Sequence, residues 1–123
     1  MATEARDGTE VVRLYFDALA SKDLSRVPYA ADAILWTPLG PNGLQEPIRG
    51  RSEILQFLGG VIPIIEHVEI QNLFASGDWV AGRARLTVLQ PAGTVLRVVD
   101  AFHLAHGEIV EQENHFDPRP VTG

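Results

Sequence analysis

Val11, Val12, Tyr15, Phe16 and Leu19 recur at three- and four-residue spacings, which places them on one stripe of a helix of about three turns. Asp7-Gly8-Thr9-Glu10, just ahead of the stripe, offers a cap and an early acidic residue, the chemistry that starts a helix. Ser21-Lys22-Asp23 interrupts the stripe, and Asp23 can cap a second short helix from Leu24 to Tyr29. Residues 33–37 read as a short strand. Residues 38–50 follow with three prolines and three glycines, an irregular stretch of the kind that rims pockets. Ser52 starts another helix that runs to about 57 or 58, where Gly59-Gly60 should stop it. Beyond Pro63 the pattern turns to alternation, with strands near 64–74, 79–90, 94–105 and 108–116. Ser76-Gly77-Asp78, Pro91-Ala92-Gly93 and His106-Gly107 supply the turns between them. Helices first and a long antiparallel meander afterwards predict an α+β fold whose sheet curls around the helices.

Composition narrows the classes of function. At 123 residues the chain makes one domain, 1–123, with 1–7 and 118–123 expected as flexible tails. Apolar residues at 46% and charged ones at 21% are those of a globular protein. A net charge of −6 without a Lys/Arg cluster argues against nucleic acid or an anionic membrane as partner. The absence of cysteine removes disulfides, thiolate catalysis and thiolate metal sites. Neither an apolar signal core nor a run of membrane-spanning length occurs, so a cytoplasmic protein is expected. His67, His103, His106 and His115 lack metal-ligand spacing, and no metal is expected. Gly40-Pro41-Asn42-Gly43 and Gly59-Gly60 fit neither a phosphate loop nor a dinucleotide fingerprint, so no cofactor is expected either.

One residue breaks the pattern informatively. By alternation Asp100 shares a strand face with Leu96, Val98, Phe102 and Leu104, which should look into the interior. A carboxylate among them loses hydration, its pKa rises, and it survives only with a partner or a chemical task. On the last strand Gln112, Asn114 and Phe116 alternate with Glu111, Glu113 and His115. The first set points inward, where its amides could orient a substrate or a water. Trp36, beside the Pro/Gly loop, is placed at the pocket mouth. On the opposite strand face, Val95, Val99 and Ala101 stand with Arg97 and His103, a surface apolar enough to predict a homodimer packed through the sheet.

Val11-Val12-Arg13-Leu14-Tyr15 with Lys22-Asp23-Leu24, Ala31-Asp32-Ala33, Gly50-Arg51-Ser52-Glu53-Ile54, Phe102-His103-Leu104, Gly107-Glu108-Ile109-Val110 and Phe116-Asp117-Pro118 together resemble the nuclear transport factor 2 superfamily. Within it the chain is most similar to the ketosteroid isomerase, limonene epoxide hydrolase and SnoaL-type cyclase group. The resemblance spans about Val11 to Asp117. It implies an NTF2-like cone: N-terminal helices packed against a curved mixed, mostly antiparallel sheet. It also puts Tyr15 where isomerases keep an oxyanion-binding tyrosine and Asp100 where they keep a protonated aspartate. Their base position holds Thr37, whose hydroxyl cannot accept a carbon-bound proton near neutral pH. Set against the epoxide hydrolases, Arg85 matches the arginine, while Thr87 and Asn114 stand at the two aspartate positions. Alternation makes the even positions 80–88 the interior face, whereas the resemblance turns Arg85 toward the pocket, and Arg85 is carried as a pocket residue.

The expected function is cofactor-independent acid/base proton transfer on a hydrophobic ring compound, isomerising or cyclising it. Asp100 and Tyr15 are the catalytic candidates. Asn114, Thr37, Arg85, Trp36, Gln112, Phe116 and Phe102 are the candidates for binding substrate. Epoxide opening, and a non-catalytic ligand-binding or dimerisation module, are the alternatives.

Overall fold

The computed structural model describes residues 8–122. Its helices are α1 (Gly8–Ser21), α2 (Arg51–Val61) and the short α3 (Arg119–Thr122). Its strands are β1 (Tyr29–Trp36), β2 (Ile48–Arg49), β3 (Ile65–Ser76), β4 (Trp79–Val88), β5 (Val95–Ala105) and β6 (Glu108–His115). They form one six-stranded sheet in the order β2-β1-β6-β5-β4-β3. Every neighbouring pair is antiparallel except β1 with β6, which run parallel. The α+β cone with a mixed, mostly antiparallel sheet is the architecture expected from the sequence.

The stripe on α1 does what its spacing predicts: Val11, Val12, Tyr15, Phe16, Ala18 and Leu19 are buried, and the helix packs on β3 and β4. Asp7, expected to help start this helix, lies outside the described residues. Lys22 takes a left-handed φ of 66° just beyond α1. Its ammonium donates to the carbonyls of Ile62, at 2.8 Å, and Ile65, tying the end of α1 to the entry of β3. Asp23 caps a short 3₁₀ turn (24–26) by accepting from Ser25 N at 3.0 Å, where a longer helix to Tyr29 was expected. Tyr29 instead opens β1, four residues ahead of the predicted strand start.

Gly59-Gly60 does not stop α2, which continues to Val61. Each glycine costs about 1 kcal/mol inside a helix, and the partial burial of Val61 and Ile62 against the core offsets it. Gly50 occupies φ 90° between β2 and α2, and its N–H bonds Ala33 O at 2.7 Å, a turn that a side chain would strain. Within 118–123, expected as tail, Arg119–Thr122 form the single turn α3, which sets Val121 against the core. Residues 1–7 lie outside the described residues.

Candidate active site

The inner sheet face is set by strand pairing. On β4 the buried residues are Val80, Gly82, Ala84, Leu86 and Val88, and Gly82 stands opposite Asp100 on β5. Asp100 in turn stands opposite Asn114 on β6. Alternation therefore delivers Asp100, Gln112 and Asn114 to the same side as the α1 stripe. Asp100 is 1% exposed.

Around Asp100 the polar groups form one connected set. Gln112 Nε2 donates to Asp100 Oδ2 at 3.0 Å, and Asn114 Nδ2 donates to Oδ1 at 2.6 Å. Behind them the Tyr29 hydroxyl donates to Gln112 Oε1, and the Thr37 hydroxyl donates to Asn114 Oδ1 at 2.9 Å. The Tyr15 hydroxyl also interacts with Asp100 and Gln112. Edge-on contacts with Phe16 and Phe102, at centroid distances of 5.1 and 5.3 Å, brace the Tyr15 ring.

Burial raises the Asp100 carboxyl from 3.8 to about 6, and the donated bonds from Asn114 and Gln112 hold it from going higher. Burial, then the neighbouring Asp100 charge, pushes Tyr15 well above its ordinary 10.0. At neutral pH the pair is a mostly ionised carboxylate beside a neutral phenol. Tyr29 is driven up too, by burial first and then by Tyr15 and Asp100.

An apolar cavity opens beside this set, lined by Leu19 of α1, Phe57, Leu58 and Val61 of α2, and Leu86, Val88, Leu96 and Val98 of the sheet. Leu39, Ile64, Ile65, Phe116 and Val121 complete the wall, and the polar lining residues are Tyr15 and Asn114. Asp100 is not on the wall; it lies behind those two side chains. Tyr15, on the cavity wall and beside Asp100, is the group placed to carry a proton between Asp100 and a ligand. A substrate proton taken by the Tyr15 oxygen would release the phenol proton to Asp100, leaving Tyr15 neutral. The reverse transfer would donate. Asn114 keeps its second N–H for an oxygen in the cavity.

The expected site residues thus separate into layers. Tyr15, Asn114 and Phe116 line the cavity, whereas Asp100, Gln112 and Thr37 form the polar layer behind it. Phe102 is fully buried and supports Tyr15 without touching the cavity. Arg85 is a correction. Its strand parity puts it on the outer face, between Glu69 and Arg97 in register, where its Nε is buried without a hydrogen-bond partner. The uniformly apolar even positions of β4 were the better guide. Trp36 is also on the outer face, where its Nε1 donates to Glu111 at 3.0 Å, because Leu35 and Thr37 take the inward positions of that strand. Tyr29 was not foreseen as a site residue. The pairing of β1 is irregular between Tyr29 and Ile34 and Ala31 is exposed, so alternation counted back from Leu35 does not lead to it. His67, His106 and His115 are exposed, and His103 stacks on Trp79 at 4.8 Å. Among the described residues no three metal-ligating side chains converge, and no helix is long and apolar enough to cross a membrane.

The sequence profile of the SnoaL-like domain matches residues 12–112. No protein of curated function matches the chain with significance. Among solved structures, an NTF2-like protein of unknown function from Burkholderia pseudomallei superposes with a TM-score of 0.75 at 26% identity, covering 94% of this chain and 98% of that one. A steroid delta-isomerase from Pseudomonas aeruginosa gives 0.73 at 20% identity over 95% and 85% of the two chains. A protein described as a SnoaL-like polyketide cyclase, from Jannaschia, gives 0.72 at 22% identity over 96% and 94%. With these last two the chain shares a fold.

Proposed function

This chain belongs to the SnoaL-like family, and from that membership and its buried carboxylate we propose that it is a cofactor-independent enzyme moving protons on a small hydrophobic ring compound, as in isomerisation or cyclisation. The observation that carries the reading is Asp100, raised to about 6 and joined to an apolar cavity through Tyr15. A carboxyl titrating there gives and takes protons near neutral pH, which an ordinary surface aspartate does not. Tyr15 is the group that touches substrate, with Asn114 holding a substrate oxygen. Asp100 is the proton reservoir behind it. Epoxide opening lacks its arginine, since Arg85 is on the other side of the sheet.

A second reading, ligand binding without chemistry, is favoured by Thr37, a buried hydroxyl where isomerases keep their base. The cavity is small for either reading. Its volume is about 40 Å³, far below the roughly 300–1,000 Å³ of small-molecule sites. A ring compound enters only if the wall at Leu39, Val61, Ile64 and Val121 parts. Proton exchange separates the two readings. Cyclic ketones that bind would be incubated in D₂O and followed by NMR. Exchange beside the carbonyl with wild type, falling about 10²–10⁴-fold in Asp100→Asn and less in Tyr15→Phe, is the expected result. Binding with no exchange by wild type would leave the carrier reading.

We also propose a homodimer through the outer sheet face. Phe74 is 60% exposed there, and Trp79, Val95 and Val99 are each 40% or more. Arg83, Arg85 and Arg97 lie toward β3, and Glu111 and Glu113 lie toward β1. A two-fold pairing brings the basic side of each copy to the acidic side of the other.

A further inference from the structure

Each amide that holds Asp100 is itself held from behind by a hydroxyl. Tyr29 reaches Gln112 Oε1 from the start of β1, and Thr37 reaches Asn114 Oδ1 from just beyond its end. The Leu39 backbone N–H meets Thr37 Oγ1 at 3.3 Å, so that oxygen already accepts and its proton is left for Asn114. Tyr29, Thr37 and Gln112 are buried, so each hydroxyl proton has to find its acceptor within the protein.

A side-chain amide can be turned over at almost no steric cost, because its oxygen and its NH₂ are close in size. Turned over, Gln112 or Asn114 would set a carbonyl oxygen against Asp100. Against a carboxylate that contact is repulsive. Against a carboxylic acid it is a hydrogen bond. The orientation of the amides and the proton on Asp100 are therefore one coupled choice. We propose that Tyr29 and Thr37 are positioning residues that make this choice: by holding both amide oxygens they turn both amide N–H groups onto Asp100, keep it a proton acceptor, and leave the Tyr15 side as the place where it can carry a proton. The functional meaning rests on the proton-transfer reading above, but the orientation does not depend on any turnover.

The groups facing Asp100 are few. Tyr15 comes from α1, Tyr29 from β1, and His115, on the outer face beside Glu113, acts only through its field. From β4 the facing residue is Gly82, which carries no charge. A change at Tyr29 or Thr37 is therefore read against a quiet background. Were the two hydroxyls mere packing, removing either would leave the titration of Asp100 in place.

The test is a carboxyl-carbon NMR titration of Asp100 in substrate-free wild type, Tyr29→Phe, Thr37→Val and Thr37→Ser. Tyr29→Phe and Thr37→Val are expected to raise the midpoint by about one pH unit each, the scale of one redirected hydrogen bond to a charged group. Thr37→Ser keeps the hydroxyl and should restore the wild-type value. Midpoints for Tyr29→Phe and Thr37→Val that coincide with wild type overturn the proposal, as does a raised midpoint in Thr37→Ser equal to that of Thr37→Val. If Tyr29→Phe does not fold, the two Thr37 variants still decide. Because no substrate is present, a failure here is distinct from a failure of the enzyme reading, which proton exchange tests separately.

Discussion

At Asp100 burial costs more than the two amide donors return, so the carboxyl titrates near 6 where an unfolded chain would titrate near 3.8. Between those values the folded protein holds a proton that the unfolded chain has released. Stability attributable to this group is therefore full below pH 4 and falls as pH rises toward 6 and beyond, by about 2–3 kcal/mol in all. That is opposite in sign to the usual paired aspartate. Asp117, bound to Arg119 and lowered to about 2, is of the usual kind: its interaction is present above pH 4 and lost only as pH falls toward 2. Urea unfolding at pH 5 and pH 7.5 should show a smaller loss of stability across the interval in Asp100→Asn than in wild type. Equal pH dependence in the two proteins would mean that Asp100 is not the group responsible.

Among the elements, β4 is the one shaped most closely to the site. A Cβ at Gly82 would sit 2.8 Å from Phe16 Cε2 and 3.2 Å from Leu73 Cδ2, so β4 approaches α1 only because that position is bare. Phe16 is edge-on to Tyr15, and a push on one ring reaches the other. Gly82→Ala is expected to cost about 1–3 kcal/mol in urea unfolding, as overpacked cores do; an unchanged or raised stability would show that Phe16 yields freely. The elements most legible in the sequence were those buried on one side only. One-sided burial wrote the three- and four-residue spacing into α1 and the alternation into β3 to β6, and with it the inward turn of Asp100, Gln112 and Asn114. Two residues carry no period, so β2 left no trace. The end of α2 was hidden because tertiary burial of Val61 overrode a local stop signal. Arg85 follows the parity set by the five apolar even positions of β4, not the pocket-facing place that the resemblance implies. That Tyr15 screens Asp100 from the cavity could not be read from either strand or helix alone, since it depends on how the two pack.

For the whole molecule, the outer sheet face leads to a prediction about assembly. A dimer is expected by sedimentation at tens of micromolar protein, weakened by high salt because part of its complementarity is between arginines and glutamates. Val99→Asp, at an exposed position in the middle of that face, should shift it toward monomer. Wild type that sediments only as monomer at low salt would end the idea. The parallel pairing of β1 with β6 has a consequence in time as well as in space. As the chain leaves the ribosome, β3, β4 and β5 can pair in turn, each with the strand just made, while β1 has only the two residues of β2 for company. It must wait for β6, the last strand to be synthesised. Asp100 emerges on β5 before Gln112 and Asn114 exist, and until then it remains an ordinary hydrated carboxylate. The docking of β6 is the step that strips its water, supplies its donors and joins β1 to β5, so the site cannot be complete before β6 is in place.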